Sequence, residues 1–266
     1  MKNLKDAKRI VIKVGTSTLT YETGNLNYRP VENLVRVLCD LKNSGKEIIL
    51  VSSGAIGVGF GKMGVTERPT DIPSKQAAAA VGQCELMYRY DKLFAEFNHT
   101  VAQVLLTKDV IDNKILKENV INTFNKLFEY KTVPIVNEND TVSVDEIELG
   151  GKFGDNDTLS AIVASLVDAD LLIILSDIDG FFDKDPNKFD DAKLIKQIKE
   201  IDENVICAAG GVTSKRGTGG MATKIAAAKI AFENNIDMII MNGKNPKAMY
   251  DIFDGNIIGT LFSKKD

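Results

Sequence analysis

The sequence has 266 residues, of which 44% are hydrophobic and 26% are charged, which is the composition of an ordinary globular protein. Lysine and arginine number 33 against 37 aspartates and glutamates, so the net charge of −4 gives no overall positive field to hold a polyanion, and we expect no nucleic-acid partner. The three cysteines are far apart and there is one histidine, which argues against a disulfide framework and a zinc site. No apolar run approaches the roughly 18 residues of a membrane span, so we expect no membrane partner. Because the cysteines suggest no disulfides and the start of the chain has no signal-peptide pattern, we expect a cytoplasmic protein.

In its first half the chain alternates short β-branched segments with longer helical patterns. The segments predict strands at 9–14, 47–51 and 101–106, and helices at 30–44 and 74–97. Such alternation is typical of a parallel sheet whose crossover connections are helices.

The second half continues the alternation. The patterns predict strands at 133–136, 171–175 and 237–241, helices at 156–167 and 221–234, and an edge strand at 259–262. Between the first of these strands and the first helix, residues 141–149 alternate apolar and polar side chains and end at two glycines, which predicts a hairpin beside the sheet. We expect one α/β unit with two lobes.

A lysine interrupts the first apolar strand. Lys13 stands inside the apolar segment 10–14, where its ammonium group is costly unless it reaches an anion or the rim of the fold. From this strand two interpretations are equally open: an edge strand whose lysine extends to water, or a strand that delivers a cation to a ligand. The turn Gly15-Thr16-Ser17 favours the second modestly, because small residues let backbone N–H groups approach phosphate oxygens.

Small residues also follow the second strand, as Ser52-Ser53-Gly54. Open α/β sheets bind ligands at the carboxyl ends of their strands, so Ser53 is suited to donate a hydrogen bond to a substrate carboxylate. The alternative, in which one of these serines caps the next helix, is at least as strong from the sequence alone.

Three familiar ligand motifs are excluded. Gly59, Gly61 and Gly64 match the dinucleotide pattern G-x-G-x-x-G, but the match begins several residues beyond the strand, so dehydrogenase chemistry is not predicted. No G-x-x-x-x-G-K-[ST] sequence occurs, which excludes a P-loop kinase by motif. A calcium-binding loop starting at Asp183 fails at two required positions.

The densest polar cluster flanks the predicted hairpin, with Asn137-Glu138-Asn139-Asp140 before it and Gly154-Asp155-Asn156-Asp157 after it. Helix capping explains part of this cluster, since Asp155 or Asn156 can serve as the N-cap and Asp157 can lie near the positive end of the helix dipole. A single cap needs one side chain, however. The cluster therefore also predicts a site that binds an amino group, in which Asp157 could hold a lysine.

Two further segments are suited to phosphate groups. Ser176-Asp177 follows the most apolar strand and so lies at the carboxyl edge of the sheet. The segment 217–224 is a glycine-rich loop that runs into a helix, an arrangement that cradles phosphate with backbone N–H groups, although a merely flexible loop is the alternative. Lys224 stands just inside this helix, where a cation opposes the helix dipole unless an anion binds nearby.

Taken together, five motifs resemble the amino acid kinase family, and within it the branch that phosphorylates glutamate. They are, in chain order, Lys13-Val14-Gly15-Thr16-Ser17, Ser52-Ser53-Gly54-Ala55-Ile56, Asn137-Glu138-Asn139-Asp140, Gly154-Asp155-Asn156-Asp157 and Gly217-Thr218-Gly219-Gly220-Met221-Ala222-Thr223-Lys224. The resemblance covers nearly the whole chain in order, and the two Asn/Asp motifs narrow it to that branch.

The resemblance implies an α/β fold, a three-layer α/β/α sandwich with a mostly parallel central sheet. It implies ATP-dependent phosphorylation of the side-chain carboxylate of L-glutamate, the first step toward proline. It also implies a single domain over 1–266, with a glutamate-binding lobe at about 1–169 and a nucleotide-binding lobe at about 170–266, and without the C-terminal PUA domain that many bacterial members carry. A homo-oligomer and feedback inhibition by proline are expected of such a protein.

By motif, the resemblance assigns glutamate binding to Ser53, Asp140 and Asn156. It assigns nucleotide binding to Lys13, Ser176, Asp177, Thr218, Gly219, Gly220, Met221, Ala222, Thr223 and Lys224. We expect Lys13 and Lys224 to stabilise the transferring phosphoryl oxygens and Asp157 to orient both lysines, with Mg²⁺ bridging the phosphates of ATP and no protein residue predicted as a metal ligand. A carboxylate acceptor, with a reference pKa near ~4.3, is already ionised at neutral pH and needs no strong general base.

Two alternatives stay open from the sequence. One is a related kinase of the same family whose acceptor is N-acetylglutamate, carbamate or uridylate. The other is a catalytically silent, ligand-sensing protein on the same fold, against which the two lysines and the acidic residues argue.

Overall fold

The structure is a computed structural model that describes residues 4–107, 109–142, 155–210 and 220–264. The strands in these ranges are β1 (Arg9–Val14), β2 (Glu47–Ser52), β3 (Val101–Leu106), β4 (Val133–Glu138), β5 (Leu171–Ser176), β6 (Gln197–Ile198), β7 (Asp237–Asn242) and β8 (Thr260–Phe262). They form one eight-stranded sheet in the order β3-β4-β2-β1-β5-β7-β8-β6. Neighbouring strands pair in parallel, except that β7 and β8 are antiparallel. The predicted mostly parallel sheet is confirmed.

Helices connect these strands. Those described are α1 (Thr16–Leu19), α2 (Tyr28–Asn43), α3 (Ala55–Met63), α4 (Ile72–Ala95), α5 (Asp109–Asp112), α6 (Lys114–Glu129), α7 (Asn156–Leu166), α8 (Glu203–Ala208), α9 (Met221–Glu233) and α10 (Met249–Phe253), with 3₁₀ turns at Leu4–Asp6 and Pro246–Ala248. No helix in the described ranges is both long enough and apolar enough to cross a membrane.

Apolar side chains lie on both faces of the sheet, because successive residues of a strand point to opposite sides. In β1, Ile10 and Ile12 pack into a core with α2, α4 and α10. Val11, between them, belongs to a second core with α6, α7 and α9. Two helical layers therefore enclose the sheet, which confirms the predicted three-layer α/β/α sandwich.

Several predicted boundaries differ from the observed ones. The helix expected at 74–97 begins at Ile72, because the Asp71 side chain caps it by accepting a hydrogen bond from the Ser74 N–H at 2.9 Å. From the sequence, α6 was not predicted, and α3 appeared only as the helix that one of the serines at 52–53 would cap. The strand expected at the sheet edge, β8, is not an edge strand, because the two-residue strand β6 pairs outside it. Most of the predicted hairpin and the start of the glycine-rich loop lie outside the described residues.

Two glycines let α3 and α4 pack with their backbones in contact. A Cβ atom on Gly59 of α3 would lie 1.8 Å from the carbonyl oxygen of Ala78, and one on Gly82 of α4 would lie 1.8 Å from that of Ala55. Neither position has space for any side chain. The glycines of the dinucleotide-like pattern thus lie within and just after a helix, where Gly59 serves helix packing, and α4 is held close behind the carboxyl end of β2.

Candidate active site

A cavity of about 480 Å³ opens at the carboxyl ends of the central strands β1, β2, β4 and β5. Its lining includes eight side chains that the sequence analysis assigned to a site: Lys13, Ser53, Asp140, Asn156, Asp157, Ser176, Asp177 and Lys224. These residues come from six different segments of the chain, so their convergence follows from the order of the strands.

Asp157 binds two lysines at the floor of this cavity. Its Oδ1 lies 2.7 Å from Lys13 Nζ, and its Oδ2 lies 3.1 Å from Lys224 Nζ. Thr223 donates a hydrogen bond from Oγ1 to the same Oδ2 at 2.8 Å. Asp157 has no solvent exposure, and the two lysines are 7% and 5% exposed. We call Lys13, Asp157 and Lys224 the charged trio.

The electrostatic balance of the trio favours an ionised carboxylate. Burial alone would raise the pKa of Asp157, but the charges of Lys13 and Lys224, together with hydrogen bonds from Lys13 and Thr223, outweigh it and lower that pKa below its ordinary value. Two ammonium groups and one carboxylate give the trio one excess positive charge. Placed at the amino-terminal turns of α7 and α9, it makes a site for an anion.

Local sequence places each member of the trio. Lys13 is the last residue but one of β1, which lies between β2 and β5, so the edge-strand interpretation of this lysine is wrong. Asp157 is in the first turn of α7 because Asp155 caps that helix, accepting the Thr158 N–H at 2.8 Å. The pKa of Asp155 is raised above its ordinary value. Burial is the main cause and repulsion from Asp157 adds to it, and together they outweigh the hydrogen bonds with Thr158, which act in the opposite direction.

Amides and a hydroxyl form the opposite side of the cavity. Asn156 donates through Nδ2 to Ser53 Oγ at 2.8 Å and to Asn137 Oδ1 at 3.1 Å. Ser53 therefore does not cap α3, whose N-cap is Gly54 with no side-chain hydrogen bond. Asp140 is buried beside them and lines the same cavity. We call Ser53, Asn137 and Asn156 the polar wall.

The remaining predicted residues divide between the cavity and its surroundings. Ser176 donates to its neighbour Asp177 at 3.1 Å, and both line the cavity at the end of β5. Gly220 caps α9, while Met221, Ala222 and Thr223 begin that helix without lining the cavity. Thr218 and Gly219 lie outside the described residues.

Three residues that support the site, Asn137, Gln83 and Tyr90, were not predicted from the sequence. Asn137 was quoted in a motif but received no role. Gln83 and Tyr90, both on α4, reach the site from behind: Gln83 bonds to Asn137, and the Tyr90 hydroxyl lies 2.8 Å from Ser52 Oγ. Both stand in the interior of a helix with no local motif, so only the packing of α4 reveals them.

Fold and cavity together define a three-layer α/β/α protein with an anion site next to a polar wall at the carboxyl edge of its sheet. The model of the amino acid kinase family matches residues 8–242. The chain belongs to the amino acid kinase family.

Curated relatives are similar over almost their entire length. A glutamate 5-kinase of Clostridium perfringens is 58% identical over 264 residues, which cover 99% of this chain and 98% of the relative. One of Listeria monocytogenes is 56% identical, covering 99% and 95%. One of Ligilactobacillus salivarius is 52% identical, covering 99% of each.

Solved structures share the fold at low sequence identity. UMP kinase from Bacillus anthracis superposes with a TM-score of 0.64 at 17% identity, covering 98% of this chain and 97% of the other. Isopentenyl phosphate kinase of T. acidophilum gives a TM-score of 0.62 at 17% identity, covering 96% and 100%. At this identity the likeness concerns the fold alone.

Proposed function

We propose that this protein is an ATP-dependent kinase that phosphorylates the side-chain carboxylate of L-glutamate to L-glutamyl 5-phosphate, the first step of proline biosynthesis. The observation that carries the proposal is that the charged trio and the polar wall share one cavity. The first suits phosphoryl oxygens and the second suits an amino acid. The relatives named glutamate 5-kinase, 52% to 58% identical along the chain, support this substrate.

In this reaction the protein contributes position and charge rather than a base. The acceptor carboxylate is ionised at neutral pH, with a reference pKa of ~4.3, so no proton has to be removed. Lys13 and Lys224 stabilise the negative charge on the oxygens of the phosphoryl group in transfer. Asp157 holds the two ammonium groups apart and in place, because each of its oxygens faces one lysine.

On the acceptor side, Ser53, Asp140 and Asn156 bind glutamate. Hydroxyl and amide groups hydrogen-bond its carboxylate and ammonium groups, and the Asp140 carboxylate attracts the ammonium group. On the nucleotide side, Ser176 and Asp177 bind ATP at the end of β5. The predicted segment 218–224 completes that side, with Gly220, Met221 and Ala222 at the amino terminus of α9.

In the described part of the chain no group of three or more histidine, cysteine or carboxylate side chains could hold a metal ion, so a magnesium ion would be brought by ATP and approached by single carboxylates. Mg²⁺ prefers oxygen ligands, and the carboxylates of Asp140, Asp155 and Asp177 line the cavity. Of these, Asp177 lies on the nucleotide side and is the one suited to approach the ion. When bound, the ion supplies neutralisation of charge on the β- and γ-phosphates.

We further propose that the chain is one domain with a glutamate-binding lobe at about 1–169 and a nucleotide-binding lobe at about 170–266. The polar wall comes from β2, β4 and α7, and the nucleotide side comes from β5 and α9, which supports a division near residue 170. Feedback inhibition by proline, a homo-oligomer and a cytoplasmic location belong to the same proposal.

An assay of ADP release tests the function. We expect turnover that depends on glutamate, ATP and Mg²⁺, and that falls when proline is added. N-acetylglutamate, carbamate and uridylate serve as competing acceptors in the same assay. Faster turnover with one of these three compounds would show that it, and not glutamate, is the acceptor. No turnover with glutamate or with any of the three would favour the ligand-sensing alternative.

A further inference from the structure

Gln83 lies behind the polar wall, on the face of α4 that is turned toward the sheet. Its side chain is largely buried, and the residue is 9% exposed. Gln83 Oε1 accepts a hydrogen bond from Asn137 Nδ2 at 3.1 Å. Gln83 does not line the cavity but Asn137 does, so the hydrogen bond between them directly links Gln83 to the cavity wall.

The hydrogen bonds continue from Asn137 to the cavity with a defined direction. Asn137, 2% exposed, directs Nδ2 to Gln83 and so turns Oδ1 toward Asn156, which donates to it at 3.1 Å. The second N–H of the Asn156 amide bonds Ser53 Oγ at 2.8 Å. An amide has two N–H donors and one oxygen. Both donors of Asn156 are therefore used inside the protein, and among the residues that the structure describes its Oδ1 is the group left for a ligand.

We propose that Gln83 is a positioning residue that fixes the direction of this amide chain, so that Asn156 presents an acceptor oxygen to the ammonium group of the substrate. The ammonium as the recognised group rests on the proposed function. An asparagine amide can exchange its oxygen and nitrogen by rotating about one bond. With Gln83 in the observed orientation, rotation of Asn137 would place its oxygen against Gln83 Oε1, so the two orientations of Asn137 are not equivalent.

The backbone around Gln83 is held firmly. Its neighbour Gly82 packs against the carbonyl oxygen of Ala55, at the start of the helix that follows the Ser53 turn. Two turns further along α4, the fully buried Tyr90 bonds Ser52 at the end of β2. One helix thus fixes the ends of β2 and β4 relative to each other, which gives Gln83 a constant distance to the polar wall.

Two substitutions of Gln83 distinguish the effect of its hydrogen-bond acceptor from the effect of its packing. Gln83→Met keeps the length of the side chain but removes the acceptor, and we expect the KM for glutamate to rise about tenfold, with the KM for ATP and kcat changed less than twofold. Gln83→Glu keeps an acceptor oxygen whether or not it is ionised, so it should restore a glutamate KM within about threefold of the wild type. Gln103→Met, the same change at an exposed position of the edge strand β3, is the control and should alter neither KM.

A comparison of two substrates tests recognition of the ammonium group more directly than the KM for glutamate alone. Glutarate has the same two carboxylates as glutamate and no ammonium group. We expect the preference of the wild type for glutamate over glutarate, measured as a ratio of kcat/KM values, to fall about tenfold in Gln83→Met and to be kept in Gln83→Glu. An unchanged ratio in Gln83→Met, or an equal rise of both KM values, would overturn the proposal.

Failure of the proposed function is recognised separately, because the wild type would then not turn over glutamate at all. In that case NMR of the side-chain amide protons decides: those of Asn137 and Asn156 should exchange slowly in the wild type and in Gln83→Glu, and faster in Gln83→Met. Equal exchange in all three would overturn the positioning role. If Gln83→Met does not fold, Gln83→Leu, which also lacks a hydrogen-bond acceptor, replaces it with the same expectations.

Discussion

At the residue scale, the charged trio concentrates the electrostatics of the site on one buried carboxylate. Removal of a partner from a buried ion pair is costly, because it leaves a charge without compensation. We expect Lys224→Ala to lower kcat about 10²-fold to 10³-fold at saturating ATP, by analogy with the loss of one donor to a developing anion. Steady-state kinetics measure the change.

Lys229→Ala is the matched control for that substitution, since Lys229 stands on the same helix with its side chain exposed. It should retain the turnover of the wild type. Full turnover by Lys224→Ala would remove Lys224 from the proposed mechanism.

Asn156 allows the acceptor side to be tested independently of the nucleotide side. Asn156→Ala removes the amide that bonds Ser53 and faces the cavity, so we expect the KM for glutamate to rise at least about tenfold while the KM for ATP changes little. Asn119→Ala, at an exposed position of α6, should change neither value. A glutamate KM unchanged in Asn156→Ala would exclude the assigned role.

The sequence predicted which residues belong to the site better than it predicted their contacts. From the sequence, Lys13 could lie on an edge strand or bind an anion. The position of β1 inside the sheet decides between these interpretations, and the order of the strands cannot be read from a local sequence pattern. Ser53 could equally cap a helix. Its actual partner, Asn156, lies 103 positions further along the chain. Asp155, whose partner Thr158 is three residues away, was correctly predicted as a candidate cap.

At the scale of elements, the contact between α3 and α4 depends on glycine. A Cβ atom on Gly59 would meet the backbone carbonyl of Ala78, which no side-chain rotation can move. We expect Gly59→Ala to lower the free energy of unfolding by about 1–3 kcal/mol, the usual cost of overpacking. Urea unfolding followed by circular dichroism measures it.

Gly57, on the same helix, supplies the control. A Cβ there would meet only Thr16 Cγ2, at 3.7 Å. Gly57→Ala should leave the protein as stable as the wild type or more stable by about 0.5–1 kcal/mol, because alanine favours a helix interior. Equal destabilisation by both substitutions would show that the helix contact is not the cause.

The elements that the sequence predicted are those with a strong period or a continuous apolar run. The strand at 171–175 was identified because β5 is buried on both faces. By contrast, no bounds were predicted for α3, since three of its nine residues, Gly57, Gly59 and Gly61, are glycines, which ordinarily weaken a helix. Close backbone packing at Gly59 and Gly61 favours glycine at those two positions. Tertiary contact overrides local preference at this point.

At the scale of the whole molecule, the stability of the fold depends on keeping charged groups out of buried positions. His99, two residues before the start of β3, has a buried Nε2 with no hydrogen-bond partner in the described part of the chain. Burial, and then the nearby charge of Lys42, lowers the pKa of His99 below its ordinary value of 6.5. The folded protein therefore favours the neutral imidazole.

This depressed pKa makes stability depend on pH in a known direction. Below about pH 6.5 the unfolded chain takes up a proton on His99 that the folded chain resists, so the free energy of unfolding should fall as the pH decreases through 6.5, until the folded protein is protonated as well. Urea unfolding at pH 8, 7, 6 and 5 measures this decline. His99→Gln, which cannot titrate, should show a smaller decline between pH 7 and pH 5. An equal decline in both proteins would assign it to other groups. The loss of stability that comes from Asp157 lies at lower pH: it begins near the ordinary pKa of 3.8, where the unfolded chain takes up a proton, and continues down to the lowered pKa of the folded protein.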